Sequence, residues 1–145
     1  MPKAIGIERN DGSIEAIYVH GDGLVESVID VVRRHYKTEK AVSSLIGLGS
    51  LSQIGRSIGE KHDFDSHDET SDLGEWCLAY HRDRGESWDD NKPSTFKSRA
   101  EYGKQAERLG VDRLYLFDPK AGDWFWYTRR KWMPVSPAPR TECRR

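Results

Sequence analysis

The sequence predicts an α+β protein. It has a single domain over residues 1–128, a mainly antiparallel sheet of about five strands, and two to three helices packed on one face. Three observations carry this. Short β-prone runs at 4–8 and 14–19, and again at 112–118 and 123–128, flank tight-turn residues: Asp11-Gly12 in the first pair and Pro119-Lys120-Ala121-Gly122 in the second. Asp-Gly accepts the positive φ that a short hairpin requires, so each pair reads as a hairpin. Between them, residues 24–36 repeat apolar side chains at helical spacing. Finally, 145 residues are the natural size of one domain, and five Trp, six Tyr and four Phe supply large buried area where aliphatic residues are few.

In the first hairpin, Ile14, Ala16 and Tyr18 fall on one face and Ile17 and Val19 on the other, so both faces carry apolar groups. The turn His20-Gly21-Asp22-Gly23 leads into a helix over 24–36. There Val25, Val28, Ile29, Val32 and Tyr36 form one stripe, with acids early and bases late to suit the helix dipole. Thr38 is a good N-cap for a second helix through Val42, Leu45 and Ile46, which Gly47 and Gly49 end. Residues 50–58 read as a connector with at most a helical turn, and 60–74 as a polar loop. Residues 75–81 read as a buried strand, 82–93 as a charged loop, and 95–109 as a helix with a weak stripe interrupted by Gly103. Residues 129–145 form a basic, Pro-rich C-terminal arm or tail, whose alternating prolines exclude helix and central strand.

The net charge of −1 argues against a basic nucleic-acid binder as the first reading. The charge is unevenly placed: seven acids and one lysine from 60 to 75, six bases and one acid from 129 to 145. These are solvated segments or two contact patches of opposite sign. Cys77 and Cys143 fit no ligand or disulfide framework, which suits a reducing cytoplasm, and no apolar run is expected to act as a signal peptide or membrane span.

Four constellations carry chemistry. His20 and Asp22 place an imidazole and a carboxylate at a strand's end, or cap the following helix. His62, Asp63, Asp65, Asp68 and Glu69 combine imidazole and carboxylates that suit a divalent ion or a partner contact, but match no EF-hand or His-Glu-x-x-His spacing, and read first as a solvated loop. Arg82, Asp83 and Arg84, after Tyr80 and His81, bind an acid or phosphate of a partner, or tie the loop to the sheet as an internal ion-pair cluster. If the strand exits meet, His20, Asp22, His81 and Asp83 converge. Last, Trp124 and Trp126 share one face of a strand that leads into Arg129 and Arg130, an arrangement that stacks on nucleobases, anchors an interface, or belongs to the core.

Several of these stretches together resemble a family of small, largely uncharacterised proteins of tailed phages and prophages. They are Ile17-Tyr18-Val19-His20-Gly21-Asp22-Gly23, His35-Tyr36, Leu45-Ile46-Gly47-Leu48-Gly49-Ser50-Leu51-Ser52, Ile58-Gly59-Glu60-Lys61-His62-Asp63-Phe64 and Tyr80-His81-Arg82-Asp83-Arg84-Gly85-Glu86. The resemblance covers roughly residues 14–86. Where members commonly carry Tyr-x-His-Trp-Asp-Gly-Tyr-Pro, this chain has Gly21, then Leu24-Val25. It implies a cytoplasmic accessory protein of phage origin, with no known reaction, catalytic residue or cofactor. The expected function is a non-enzymatic binding protein that engages a host protein or nucleoprotein complex, most concretely as an anti-CRISPR or other anti-defence inhibitor. The alternatives are a metal-dependent hydrolase or nuclease built on the His/Asp cluster, and a small nucleotide or nucleic-acid binder.

Overall fold

Strands β1 (Lys3–Glu8) and β2 (Ile14–Val19) form the expected hairpin, with Glu8 opposite Ile14 and Gly12 at φ 89° in the turn. The computed structural model describes residues 3–20, 28–60, 76–108, 113–128 and 131–135. Two further hydrophobic faces need cover, and the chain supplies it from both sides. Helix α1 (Val28–His35) buries Val28, Val31 and Val32; the expected residues 24–27 of this helix lie outside those described. Helix α2 (Glu39–Ile46) starts at the predicted cap: the Thr38 hydroxyl oxygen accepts the Ala41 N–H at 3.1 Å, and Gly47 closes the other end.

Among the described residues the sheet has eight strands rather than about five. Beyond β2, its outer edge is shared. Strand β3 (Leu51–Gln53) runs parallel beside Val19, and β5 (Ser94–Phe96) runs antiparallel beside Ile14 to Ala16. Strand β4 (Leu78–Ala79) pairs with β3. On the other side, β6 (Arg113–Asp118) lies parallel to β1, then β7 (Asp123–Thr128) and β8 (Lys131–Pro134) follow antiparallel. Five of the seven named pairings are antiparallel, so the sheet is mainly antiparallel as expected. Residues 131–134, expected in the C-terminal arm, form β8, the edge strand among the described residues, a position that tolerates Pro134 and its missing N–H.

The helices do not lie on one face. Ile5, Ile7, Ile17, Val19, Tyr115, Phe117 and Trp124 point to the side that α1 and α2 cover. Their alternating neighbours Ala4, Ile14, Ala16, Leu114 and Leu116 pack on the opposite side against Phe96 of β5 and Tyr102 of helix α5 (Arg99–Arg108). The apolar groups on both faces of β2 required this second layer. Tyr102 is fully buried, and its hydroxyl donates to the Tyr115 carbonyl at 3.0 Å. Gly103 follows it in α5 because a Cβ there would stand 2.7 Å from the ring of Tyr127.

The charged stretch 82–93 contains two short helices, α3 (Tyr80–Arg84) and α4 (Trp88–Asn91), so the strand expected over 75–81 ends at Ala79. No helix among the described residues is long and apolar enough to cross a membrane.

Candidate functional site

The exits of β2 and β4 meet at Leu51. Val19 pairs with Leu51, Leu51 pairs with Ala79, and the His20 N–H donates to the Leu51 carbonyl at 2.9 Å. The residues that follow the two strand ends therefore emerge together. The ring of His20 stands edge-on to that of Tyr80, with centroids 5.6 Å apart. The next residue, His81, turns to Trp88, with centroids 5.0 Å apart, and its Nδ1 lies 2.8 Å from the Glu86 carbonyl oxygen. Two aromatic pairs thus issue from consecutive residues at the start of α3, and His20, His81 and Trp88 are exposed.

Two neighbouring charges hold this turn from below. Asp83 is buried. Its Oδ2 accepts the Ala79 N–H at 2.8 Å, and Arg82 donates to both carboxylate oxygens, at 2.9 Å from Nε and 3.1 Å from Nη2. The guanidinium also donates to the Ile58 and Cys77 carbonyls, at 2.7 and 2.8 Å. A buried ion pair is tolerated when its remaining hydrogen-bonding capacity is also met, as it is here. Arg82 and Asp83 are therefore the internal cluster that ties α3 to the sheet. Arg84 differs: it is exposed and pairs at 3.4 Å with Glu86 across the Gly85 turn.

Helix α4, which carries Trp88, is seated on the glycine-rich turn after α2. The Ser50 N–H donates to the Asn91 carbonyl at 2.8 Å, and the Asn91 side chain donates back to Ser87 at 2.7 Å. Gly49 sits at φ 79°, and any Cβ there would run into Asn91 and the Trp88 ring. The turn is thus shaped to receive α4.

Among the other sequence candidates, Trp124 belongs to the core. It is 1% exposed and its indole Nε1–H donates to the Tyr36 carbonyl at 2.9 Å. A ring so placed has no face left for a nucleobase. Trp126 is half-buried against the same core, and the Arg113 guanidinium lies 5.9 Å from its ring centroid. Asp22, His62, Asp63, Asp65, Asp68, Glu69, Arg129 and Arg130 lie outside the described residues. Among the described residues no three His, Cys, Asp or Glu side chains gather closely enough to hold a metal ion.

Cys77 is buried beneath the site, with its Sγ 3.5 Å from the Tyr36 hydroxyl. Burial pushes its thiol up, away from the reactive thiolate, and pushes the Tyr36 hydroxyl far up as well.

Sequence reasoning did not select Trp88 as a binding residue. The signal present was a single large aromatic in an otherwise charged stretch, preceded by Ser87 and followed by Asp89-Asp90, the pattern of a helix start. Compared with known proteins, the chain matches no family model, no curated protein and no solved structure. The described residues form an α+β protein with a mixed sheet covered on both faces and an aromatic cluster where two strands end.

Proposed function

We propose that the chain is a non-enzymatic binding protein of phage or prophage origin that engages and inhibits a host factor, most concretely a CRISPR or other defence effector, through the surface formed by His20, Tyr80, His81 and Trp88. One observation carries this reading. The charged residues best placed for chemistry at the strand exits, Arg82 and Asp83, spend their hydrogen bonds on the chain itself and so hold exposed rings in fixed positions. Rigid aromatic anchors beside polar groups are what a protein interface uses for affinity, because a large ring buries much area at little entropic cost. Asp83, with both oxygens occupied and no exposure of its side chain, is poorly suited to the hydrolytic reading. The phage-like motifs from residues 14 to 86 include His20, Tyr80 and His81 of this surface, while Trp88 lies just beyond them.

The experiment is affinity capture from bacterial lysate with the wild-type chain and with Trp88→Ala. The reading expects one protein or nucleoprotein complex recovered in stoichiometric amount by wild type, and strongly reduced by a variant whose thermal midpoint is unchanged. Absence of a stoichiometric partner, or full recovery by a His20→Ala/Trp88→Ala double variant, overturns it.

A further inference from the structure

The net charge of −1 hides a segregation along the sheet. Glu8, Asp118 and Asp123 stand at one end of β1, β6 and β7. At the other end the register aligns cations. Lys3 of β1 is the direct partner of Arg113 of β6, and Lys131 opens β8 opposite Thr128 of β7. By the two-residue alternation all three share the face that holds Ile5, Tyr115 and Trp126. Adjacent strands are about 4.8 Å apart, so this row spans roughly 14 Å. Like charges placed directly opposite on neighbouring strands repel. Elsewhere in the sheet the cations are spent: Arg9 pairs with Glu15, and Arg99 with both Glu8 and Asp118. Lys3, Arg113 and Lys131 form no ion pair among the described residues, and Arg113 and Lys131 are exposed.

A second row runs beside the first, two residues further along the strands. Trp126 and Met133 are cross-strand partners; Trp126 is half-buried against the core and Met133 is 43% exposed. The Arg113 guanidinium, 5.9 Å from the Trp126 ring centroid, joins the two rows. A line of cations beside an aromatic and a thioether side chain matches a strand of nucleic acid, which carries its charges along one edge and flat base faces along the other. An acidic protein segment would answer the cations but makes no use of the second row. We infer that this rim of the sheet binds single-stranded nucleic acid, with phosphates along Lys3, Arg113 and Lys131 and a base against Trp126 and Met133. The inference is independent of the proposed function, since the rim shares no residue with the surface formed by His20, Tyr80, His81 and Trp88.

The test is fluorescence anisotropy with a labelled oligothymidylate of about twelve nucleotides, titrated with the full chain at several salt concentrations between about 50 and 200 mM. The variants are Arg113→Ala and Lys131→Ala. The control is Lys104→Ala, an exposed lysine of α5 on the opposite layer. Three phosphate contacts to a single strand predict a slope of log K against log salt of about −2. Each rim variant is expected to weaken binding about three- to tenfold at the lowest salt and to reduce the slope by about 0.7, with a melting temperature close to wild type. Lys104→Ala should change neither. An abasic oligomer with the same phosphates, and polyglutamate of similar length, should bind more weakly than the oligothymidylate. No salt-dependent binding, or the same loss in Lys104→Ala as in the rim variants, overturns the inference. Equal binding of the abasic oligomer or of polyglutamate would make the row a general anion surface and overturns the assignment to nucleic acid.

Discussion

The carboxylate of Asp83 closes the first turn of α3 back onto β4 by accepting the N–H of Ala79, four residues earlier, at 2.8 Å. This one contact sets where Tyr80 and His81 leave the sheet, and with them the aromatic surface.

Removing that carboxylate leaves the Ala79 N–H and the Arg82 guanidinium without their acceptor in a buried place. Loss of one member of a buried pair costs about 3–5 kcal/mol. Asp83→Ala is therefore expected to lower the unfolding free energy by about 3 kcal/mol in urea titration. A loss below about 1 kcal/mol would place the pair among ordinary surface ion pairs and contradict the account.

Gly103 lies inside α5, where alanine is ordinarily preferred by about 1 kcal/mol. Here the added Cβ meets the Tyr127 ring at 2.7 Å. Gly103→Ala is expected to destabilise the chain by about 1–3 kcal/mol, the usual cost of overpacking. In a Tyr127→Ala background the same change should become neutral or stabilising. A double-mutant cycle reads the difference directly. An unchanged effect of Gly103→Ala in the two backgrounds would mean that the ring is not the cause.

Buried Cys77, Tyr36 and Tyr102 weaken the fold at alkaline pH. Burial raises the Cys77 thiol above its ordinary 9.0, and the Tyr36 and Tyr102 hydroxyls above their ordinary 10.0. The folded chain therefore keeps these protons at a pH where the unfolded chain has begun to release them. Their contribution to stability is complete below the unfolded values and is lost as pH rises through about 9 and then about 10 towards the raised folded values. Each group adds a slope of at most about 1.4 kcal/mol per pH unit. Urea unfolding from pH 8 to 11 should show this decline. Tyr36→Phe should remove one group's share above about pH 10, at the cost of the bond to Gly55 at every pH. A slope unaltered in Tyr36→Phe would contradict the assignment.

The parts of the fold that were legible in the sequence are those that local chemistry decides. Asp11-Gly12 and Gly122 mark the two hairpin turns, and Thr38 and Gly47 bracket α2 as expected. The short strands β3 and β5 were not legible, because three residues carry no periodicity, whereas β4 lies within the strand expected over 75–81. Strands β3 and β5 exist by pairing along the divided edge of β2, which is a tertiary matter. The second helical layer was half visible. Ile14, Ala16 and Tyr18 opposite Ile17 and Val19 demanded cover on both faces, but Gly103 broke the stripe of the helix that supplies it. For the site, His20 and the 80–86 segment were visible as polar groups at strand ends. Their meeting depends on the order β2-β3-β4, which rests on the unrecognised β3. Trp124 was ambiguous by alternation alone; its bond to the Tyr36 carbonyl decides for the core.

Trp88 is 38% exposed and its helix is held by Asn91 and Ser50, not by its own ring alone. Trp88→Ala should therefore shift stability by no more than about 1 kcal/mol while removing the principal contact. Thermal unfolding checks the first part. A loss of several kcal/mol would make Trp88 a structural residue and remove it from the proposed surface.

Inhibition stoichiometry tests the central claim most directly. A purified CRISPR effector complex cleaving its target is titrated with the purified chain at concentrations well above the dissociation constant. A binding inhibitor lowers cleavage linearly to an endpoint at a fixed small number of chains per complex, and Trp88→Ala shifts or abolishes that endpoint. Inactivation of many complexes by each chain, or cleavage indifferent to the chain at every ratio, would contradict it.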